Sequence, residues 1–209
     1  MTTSIATICS LATAIGQSGI GIVRVSGPLA LDIAKKILLT KLKPRYSFYG
    51  VFLDANKNTI DKGVAIYFPG PNSYTGEDVV EFHGHGGMSV LKSLIEVIVF
   101  FGARLAEPGE FTKRAFLNGK MDLVQAEAVQ DLIQSSSEQS ALSAVRSLTG
   151  EFSEKINLLL ADLIALRVFI EATIDFSDEE IDFLESHEVS TKLATLKDLL
   201  TNILENATQ

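Results

Sequence analysis

The sequence predicts an α+β protein in two parts: a mixed α/β domain over residues 1–120 and an all-helical bundle segment over residues 121–209. Three observations carry this reading. All five prolines and 14 of the 15 glycines precede residue 121, so turns and strand ends are concentrated there. Charge divides at the same place: residues 1–120 hold 13 Lys and Arg against 9 Asp and Glu, whereas residues 121–209 hold 5 against 17. Short β-branched runs mix with helical spacing before the divide, and helical spacing alone follows it. With 209 residues, 46% of them hydrophobic, the chain is long enough to bury a real core.

Taken in order, Ile20–Ser26 is a β-branched run between glycines and reads as a buried strand. Gly27–Pro28 ends it, and Pro28 suits the first turn of a helix that would bury Leu29, Ile33, Ile37 and Leu38. A basic connector, Lys41–Tyr46, contains Pro44. Val64–Phe68 is a second strand, stopped by Pro69–Gly70–Pro71, and Val79–His83 is a third. After Gly84, Gly86 and Gly87, apolar spacing predicts a helix over about Met88–Phe101. Pro108–Gly109–Glu110 opens another, with Phe111, Ala115 and Phe116 inward and Gly119 as its stop. Beyond the divide, Asp122 and Gln125 fit a capping box ahead of Leu123, Ala126, Val129, Leu132 and Ile133. Ile156–Ile170 is a longer apolar helical run around Arg167, Asp175–Glu185 is an acidic joint, and Leu193–Leu204 forms a last amphipathic helix. The apolar stripe of that helix needs a partner, either the preceding helices or further chain.

Several function classes are excluded or disfavoured. The most apolar stretch, Val90–Phe101, is interrupted by Lys92 and Glu96, so no membrane span is expected. The N-terminus lacks a basic region ahead of an apolar segment, and a single cysteine, Cys9, permits no internal disulfide. A soluble, cytoplasmic protein is expected. A net charge of −8 disfavours nucleic-acid binding by bulk electrostatics. Gly16–Arg24 resembles a dinucleotide fingerprint, yet its glycines precede the strand and Arg24 stands at the third glycine position. Gly119–Lys120 resembles the end of a phosphate loop, yet Met121 replaces Ser or Thr and Arg114 the leading glycine. His83 and His85 lack a third ligand at suggestive spacing, so no metal site is predicted.

Three charges stand out by position. Arg24 and Glu81 each interrupt an apolar strand, and Lys120 follows a helix-stopping glycine at the domain joint. A charge in a buried strand is costly unless it is paired or faces a cleft. Arg24 and Glu81 could satisfy each other. Alternatively, the three line one cleft, with cations for an anionic tail and a carboxylate for a donor-rich heterocycle.

Read in order, four segments resemble one family. They are Gly19–Gly27, Phe68–Asp78, Glu81–Gly87 and Glu107–Ala128, continued by Ser135–Gln139 and Ile174–Phe183. Together they are similar to the N-terminal portion of the MnmE (TrmE) family of tRNA-modification GTPases. The resemblance implies a first domain like the folate-binding domain of the glycine-cleavage aminomethyltransferase, which also forms the homodimer, followed by a helical domain. It implies binding of 5-formyl- or 5,10-methylene-tetrahydrofolate through an arginine, a glutamate and a lysine, which fall on Arg24, Glu81 and Lys120. It also implies a flavin-dependent partner, MnmG, and tRNA as substrate, with a carboxymethylaminomethyl-type group built on the wobble uridine. In that family GTP, Mg and K bind a GTPase domain inserted in the helical one. No phosphate loop occurs in this sequence, so a piece of a longer protein without GTPase activity of its own is expected.

Two readings follow. One is a folate-binding and dimerisation module; the other is a structural dimerisation scaffold built from the same residues. A free-standing folate-dependent aminomethyltransferase would need its own catalytic acid, and no catalytic residue is assigned.

Overall fold

The computed structural model describes residues 6–175 and 187–207, so the acidic joint lies, beyond Asp175, outside the described residues. The chain forms two compact units, residues 1–122 and 123–209.

The first unit is a six-stranded mixed sheet with three helices. Its strands are β1 (Ile8–Leu11), β2 (Gly21–Ser26), β3 (Phe48–Leu53), β4 (Thr59–Phe68), β5 (Val79–Gly84) and β6 (Arg104–Leu105). They lie in the order β3-β4-β5-β2-β1-β6, antiparallel throughout except for the β1–β6 pair. Helices α1 (Ala30–Leu38) and α2 (Met88–Phe100) bury one face. Strand alternation decides which side chains go there. Val23, Val25, Val80, Phe82, Ala65 and Phe52 meet Ile33, Ile37, Leu94 and Ile98 in one continuous core. Phe52 and Phe82 pack edge to face at 5.5 Å, each ring fully buried.

The other face carries the alternate residues: Ile22 and Arg24 on β2, Val64 and Ile66 on β4, Glu81 and His83 on β5. All six are half-buried rather than enclosed. Helix α3 (Glu110–Leu117) and the 69–78 loop flank the Arg24 end of this face.

The second unit contains α4 (Leu123–Gln134), α5 (Glu138–Leu148), α6 (Glu151–Asp175) and α7 (His187–Ala207). Within it α5 packs on α4, α6 on α5 and α7 on α6. Ser137 caps α5 by accepting from the Ser140 backbone N–H at 3.1 Å, and Gly150, at φ +90°, turns the chain into α6.

Several sequence expectations need correction. Helix α1 begins at Ala30, and Leu29 is 41% exposed rather than inward. Phe116 is 39% exposed, because the inner side of α3 is taken by Glu110, Arg114 and Ala115. The apolar run over Ile156–Ile170 is helical as expected, within α6, although Leu166 alone of its large side chains is buried and Leu160, Leu163 and Val168 are exposed. Strands β1, β3 and β6 and helix α5 have no counterpart in the sequence reading. β1 is four residues and β6 two, too short for alternation to register, and Gly50 interrupts β3.

Candidate ligand-binding site

Arg24 and Glu81 occupy directly opposed positions on β2 and β5. The strand register therefore brings two charges, 57 residues apart in sequence, to one point on the half-open sheet face. Nε of Arg24 donates to Glu81 Oε1 at 2.8 Å, and Nη2 completes the ion pair at 2.8 Å from the same oxygen. The other oxygen, Oε2, lies 3.1 Å from Nε2 of His83, two residues along the same strand. With side chains 27% and 15% exposed, the ion pair is only partly desolvated, which keeps it reachable from outside.

Aromatic rings hold the guanidinium from above. Its carbon lies 5.1 Å from the centre of the Tyr74 ring and 5.8 Å from that of Phe111, both within cation–π range. The Tyr74 hydroxyl in turn shares a 2.9 Å hydrogen bond with Thr112 of α3. Arg24 also lines a cleft of about 360 Å³ between β1 and the start of α3, together with Ser10, Glu107, Phe111 and Thr112. A larger recess, about 550 Å³, lies between the β3–β4 turn and α2. It contains none of the three predicted residues, and its Asp54 already caps the turn through Asn56 and Asn58. The smaller cleft, lined by Arg24 but not by Glu81 or Lys120, is therefore the candidate.

Lys120 is placed differently. Its aliphatic chain packs over Gly76, where an added Cβ would sit 3.4 Å from Lys120 Cγ and Cδ. Gly76 also has φ +79°, a conformation that favours glycine. The Lys120 residue is exposed, and it makes no ion pair among the described residues. Arg24 and Glu81 are thus brought into contact, and Lys120 reaches the same 69–78 loop that supplies Tyr74 to Arg24.

A buried ionic network fixes this loop and α3. Arg114 donates to both oxygens of Glu77, at 3.1 and 3.0 Å, and to Glu110 and the Ala6 carbonyl. Arg104 clamps Glu110 through two N–H groups at 2.8 and 2.6 Å. The Arg104 hydrogen bonds, together with the Glu107 N–H and Arg114, hold the Glu110 carboxyl down at about 2, against the opposing effect of burial. Ser26 donates to Glu77 at 2.7 Å and also meets Thr75. Glu77, Glu110 and Arg114 escaped the sequence reading, because a charged residue in a loop or short helix looks solvated until its partners are known.

The two histidines go separate ways. His83 meets Glu81, whereas the ring and backbone N–H of His85 both meet Asp61, at 2.8 and 2.7 Å. Burial pushes the Asp61 carboxyl up, but the hydrogen bonds from His85 outweigh it and leave a net lowering. Among the described residues no group of three or more His, Cys, Asp or Glu could hold a metal ion.

Comparison with known proteins matches residues 7–120 to the family described as GTP-binding protein TrmE N-terminus. That match covers more than half of the chain and includes Arg24, Glu81 and Lys120. The chain belongs to the TrmE N-terminus family. Residues 123–209 match the MnmE helical domain, so two domain models account for all but the first six residues and two at the joint. A tRNA modification GTPase MnmE from Vesicomyosocius okutanii subsp. Calyptogena okutanii is 57% identical over 209 residues, which is all of this chain and 47% of the relative. A protein of the same name from Pseudomonas paraeruginosa is 53% identical over 203 residues, covering 97% of this chain and 45% of its own length. The chain thus spans about half the length of these curated relatives, and consists of a TrmE N-terminal domain and an MnmE helical domain. Among the described residues, no helix is long and apolar enough to cross a membrane.

Proposed function

We propose that this chain is the tetrahydrofolate-binding and dimerisation module of a tRNA-modifying GTPase, with residues 1–120 as the folate-binding domain and 121–209 as part of the helical domain. Its fold is proposed to be that of the folate-binding aminomethyltransferase domain. The observation that carries this reading is the Arg24–Glu81 pair, set on a half-open sheet face among Ile22, Val64, Ile66 and His83, with Arg24 lining a cleft. Glu81 offers carboxylate oxygens to the amino and ring N–H groups of a pterin edge, as charge-assisted hydrogen bonds. Arg24 and Lys120 offer cations to the anionic glutamate tail or the one-carbon carbonyl. When bound, 5-formyl- or 5,10-methylene-tetrahydrofolate supplies the one-carbon unit; the residues here bind and orient it.

The whole protein is proposed to act in the cytoplasm as a homodimer, with a flavin-dependent MnmG partner. There it would install a carboxymethylaminomethyl-type group on the wobble uridine of tRNA. GTP, Mg and K belong to its GTPase domain. The 209-residue chain, which lacks a phosphate loop, is expected to show no GTP turnover, and turnover by clean protein in a phosphate-release assay would contradict that.

One observation favours the second reading, a structural dimerisation scaffold: Arg24 and Glu81 already satisfy each other. Isothermal titration with 5-formyltetrahydrofolate separates the two. Binding that is lost in Glu81→Ala supports the module, whereas a folded chain that releases no binding heat supports the scaffold. Sedimentation velocity with the same ligand tests dimerisation, and a monomer under saturating ligand would contradict it.

A further inference from the structure

The basic connector Lys41–Tyr46 lies outside the candidate cleft and is fixed to the sheet edge. Leu42 is buried in the core, Pro44 pairs with Tyr67 of β4, and the Arg45 N–H donates to the Tyr67 carbonyl at 2.8 Å. β3 continues along the same strand, with Phe48 opposite Ala65 and Tyr49 opposite Val64. Connector and β3 thus share one edge, since Tyr67 and Val64 lie about 10 Å apart along β4. Between Asp32 and Asp54 the sequence has five Lys and Arg and no acid. Lys35 is bound to Asp32, and Lys36 lies over the Phe101 ring at 5.0 Å, which leaves Lys41, Lys43 and Arg45. All three are exposed, and none makes an ion pair among the described residues. Two carboxylates of the adjoining segments are taken already, Asp61 by His85 and Asp78 by the Gly70 N–H. Arg45 has φ +61°, a left-handed backbone that a non-glycine residue keeps only when its surroundings fix it.

Exposed aromatic rings stand among these cations. Tyr46 is 71% exposed and Tyr49 66%, and Lys62 Nζ lies 4.9 Å from the centre of the Tyr49 ring. Cations that follow a phosphate backbone, interleaved with rings on which bases stack, are the footprint of a single-stranded or looped nucleic acid. An acidic peptide would use the cations but would bring no flat base to the rings. The net charge of −8 acts on bulk attraction, whereas this edge is locally positive. We propose that Lys41, Lys43, Arg45 and Tyr46, with Tyr49 and Lys62 beside them, dock a looped segment of RNA, the cations on its phosphates and Tyr46 against a base. The proposal rests on the reading of the whole protein as a tRNA-modifying enzyme, whose substrate some protein surface must hold. Arg45 Nη2 donates to the Asn72 carbonyl, and Asn72 belongs to the 69–78 loop that brings Tyr74 to Arg24. RNA on the connector is thereby joined to the loop that holds the candidate ligand's arginine.

The test is a fluorescence-anisotropy titration of the 209-residue chain with a labelled RNA stem-loop carrying a wobble-position uridine, without folate. Affinity for a single strand falls with salt by a power of about 0.7 for each phosphate neutralised. With the three connector cations engaged, raising salt from about 50 to about 200 mM should weaken wild type about twentyfold. Lys41→Gln combined with Lys43→Gln should bind more weakly at the lower salt and lose only about threefold over the same rise. Tyr46→Ala should weaken binding about tenfold at both salts and Tyr46→Phe should restore it, with circular dichroism confirming that each variant folds. A folded wild type that binds no RNA at the lower salt would overturn the proposal. So would a double variant with unchanged salt dependence, or Tyr46→Ala binding like wild type. Displacement of the RNA by poly-glutamate as readily as by poly-uridylate would assign the surface to an acidic protein and overturn it too. A chain that binds 5-formyltetrahydrofolate but no RNA loses this proposal alone, whereas one that binds RNA but no folate loses the folate reading alone.

Discussion

The two units of the chain bury their apolar residues very differently. Among the described residues, the N-terminal unit encloses 22 hydrophobic side chains, whereas the helical unit encloses five: Ala128, Ala144, Leu166, Leu196 and Ile203. The helical unit meanwhile leaves Leu158, Leu160, Leu163, Val168 and Leu193 exposed on two long helices. A sheet covered by two helices makes a closed core, in which each strand position is fixed by neighbours on both sides. Long helices packed on their predecessors share narrower contacts. The contrast suits the proposed division of labour, because a binding site needs side chains held by rigid strands, and the Arg24–Glu81 pair is placed by strand register.

The largest expected effect sharpens this contrast directly. Phe82→Ala removes a fully buried ring and should cost the N-terminal unit about 3–5 kcal/mol in urea denaturation. Leu163→Ala, at a position 51% exposed, should change stability by less than about 0.5 kcal/mol. Equal losses would mean that the two units do not differ in packing as described.

Acid should also act on the N-terminal unit first. Glu110 has its carboxyl lowered from 4.5 to about 2 in the fold. The stability this adds is complete above the ordinary value of 4.5 and is lost as pH falls from there through about 2. Circular-dichroism unfolding across that window should be steeper for wild type than for Glu110→Gln, and identical profiles would contradict the role of the Arg104–Glu110–Arg114 network.

The smallest predicted effect concerns Lys120. An exposed ammonium near a site acts through screened attraction, so Lys120→Ala should weaken 5-formyltetrahydrofolate binding several-fold at low salt and hardly at all at high salt. A loss of the same size at both would mean a direct, desolvated contact instead.

Much of the candidate site was legible because burial makes misplaced charge conspicuous. Arg24 and Glu81 stood out as single charges in apolar strands, and mutual pairing was one of the two readings they allowed. Their register was not legible, since no local pattern says which residue of β5 opposes Arg24. Tyr74, Phe111 and His83 were not assigned to Arg24 and Glu81, because each reaches them through tertiary placement of a loop, a helix or a strand. The division of the fold at residue 120 or so was legible in proline, glycine and charge usage. The short strands β1 and β6 were not, as their pairing depends on partners distant in sequence. For α6 the apolar spacing was read correctly as helix, but spacing alone says nothing about how much of a helix is covered.

The central claim is that ligand binding belongs to the half-open sheet face of the N-terminal unit. Amide hydrogen–deuterium exchange on the 209-residue chain, with and without saturating 5-formyltetrahydrofolate, tests it most directly. Slowed exchange at β2, β5 and the 69–78 loop, with α4 to α7 unchanged and the effect absent in Glu81→Gln, is the predicted result. Protection confined to the helical unit, or protection of the sheet that persists in Glu81→Gln, would contradict it.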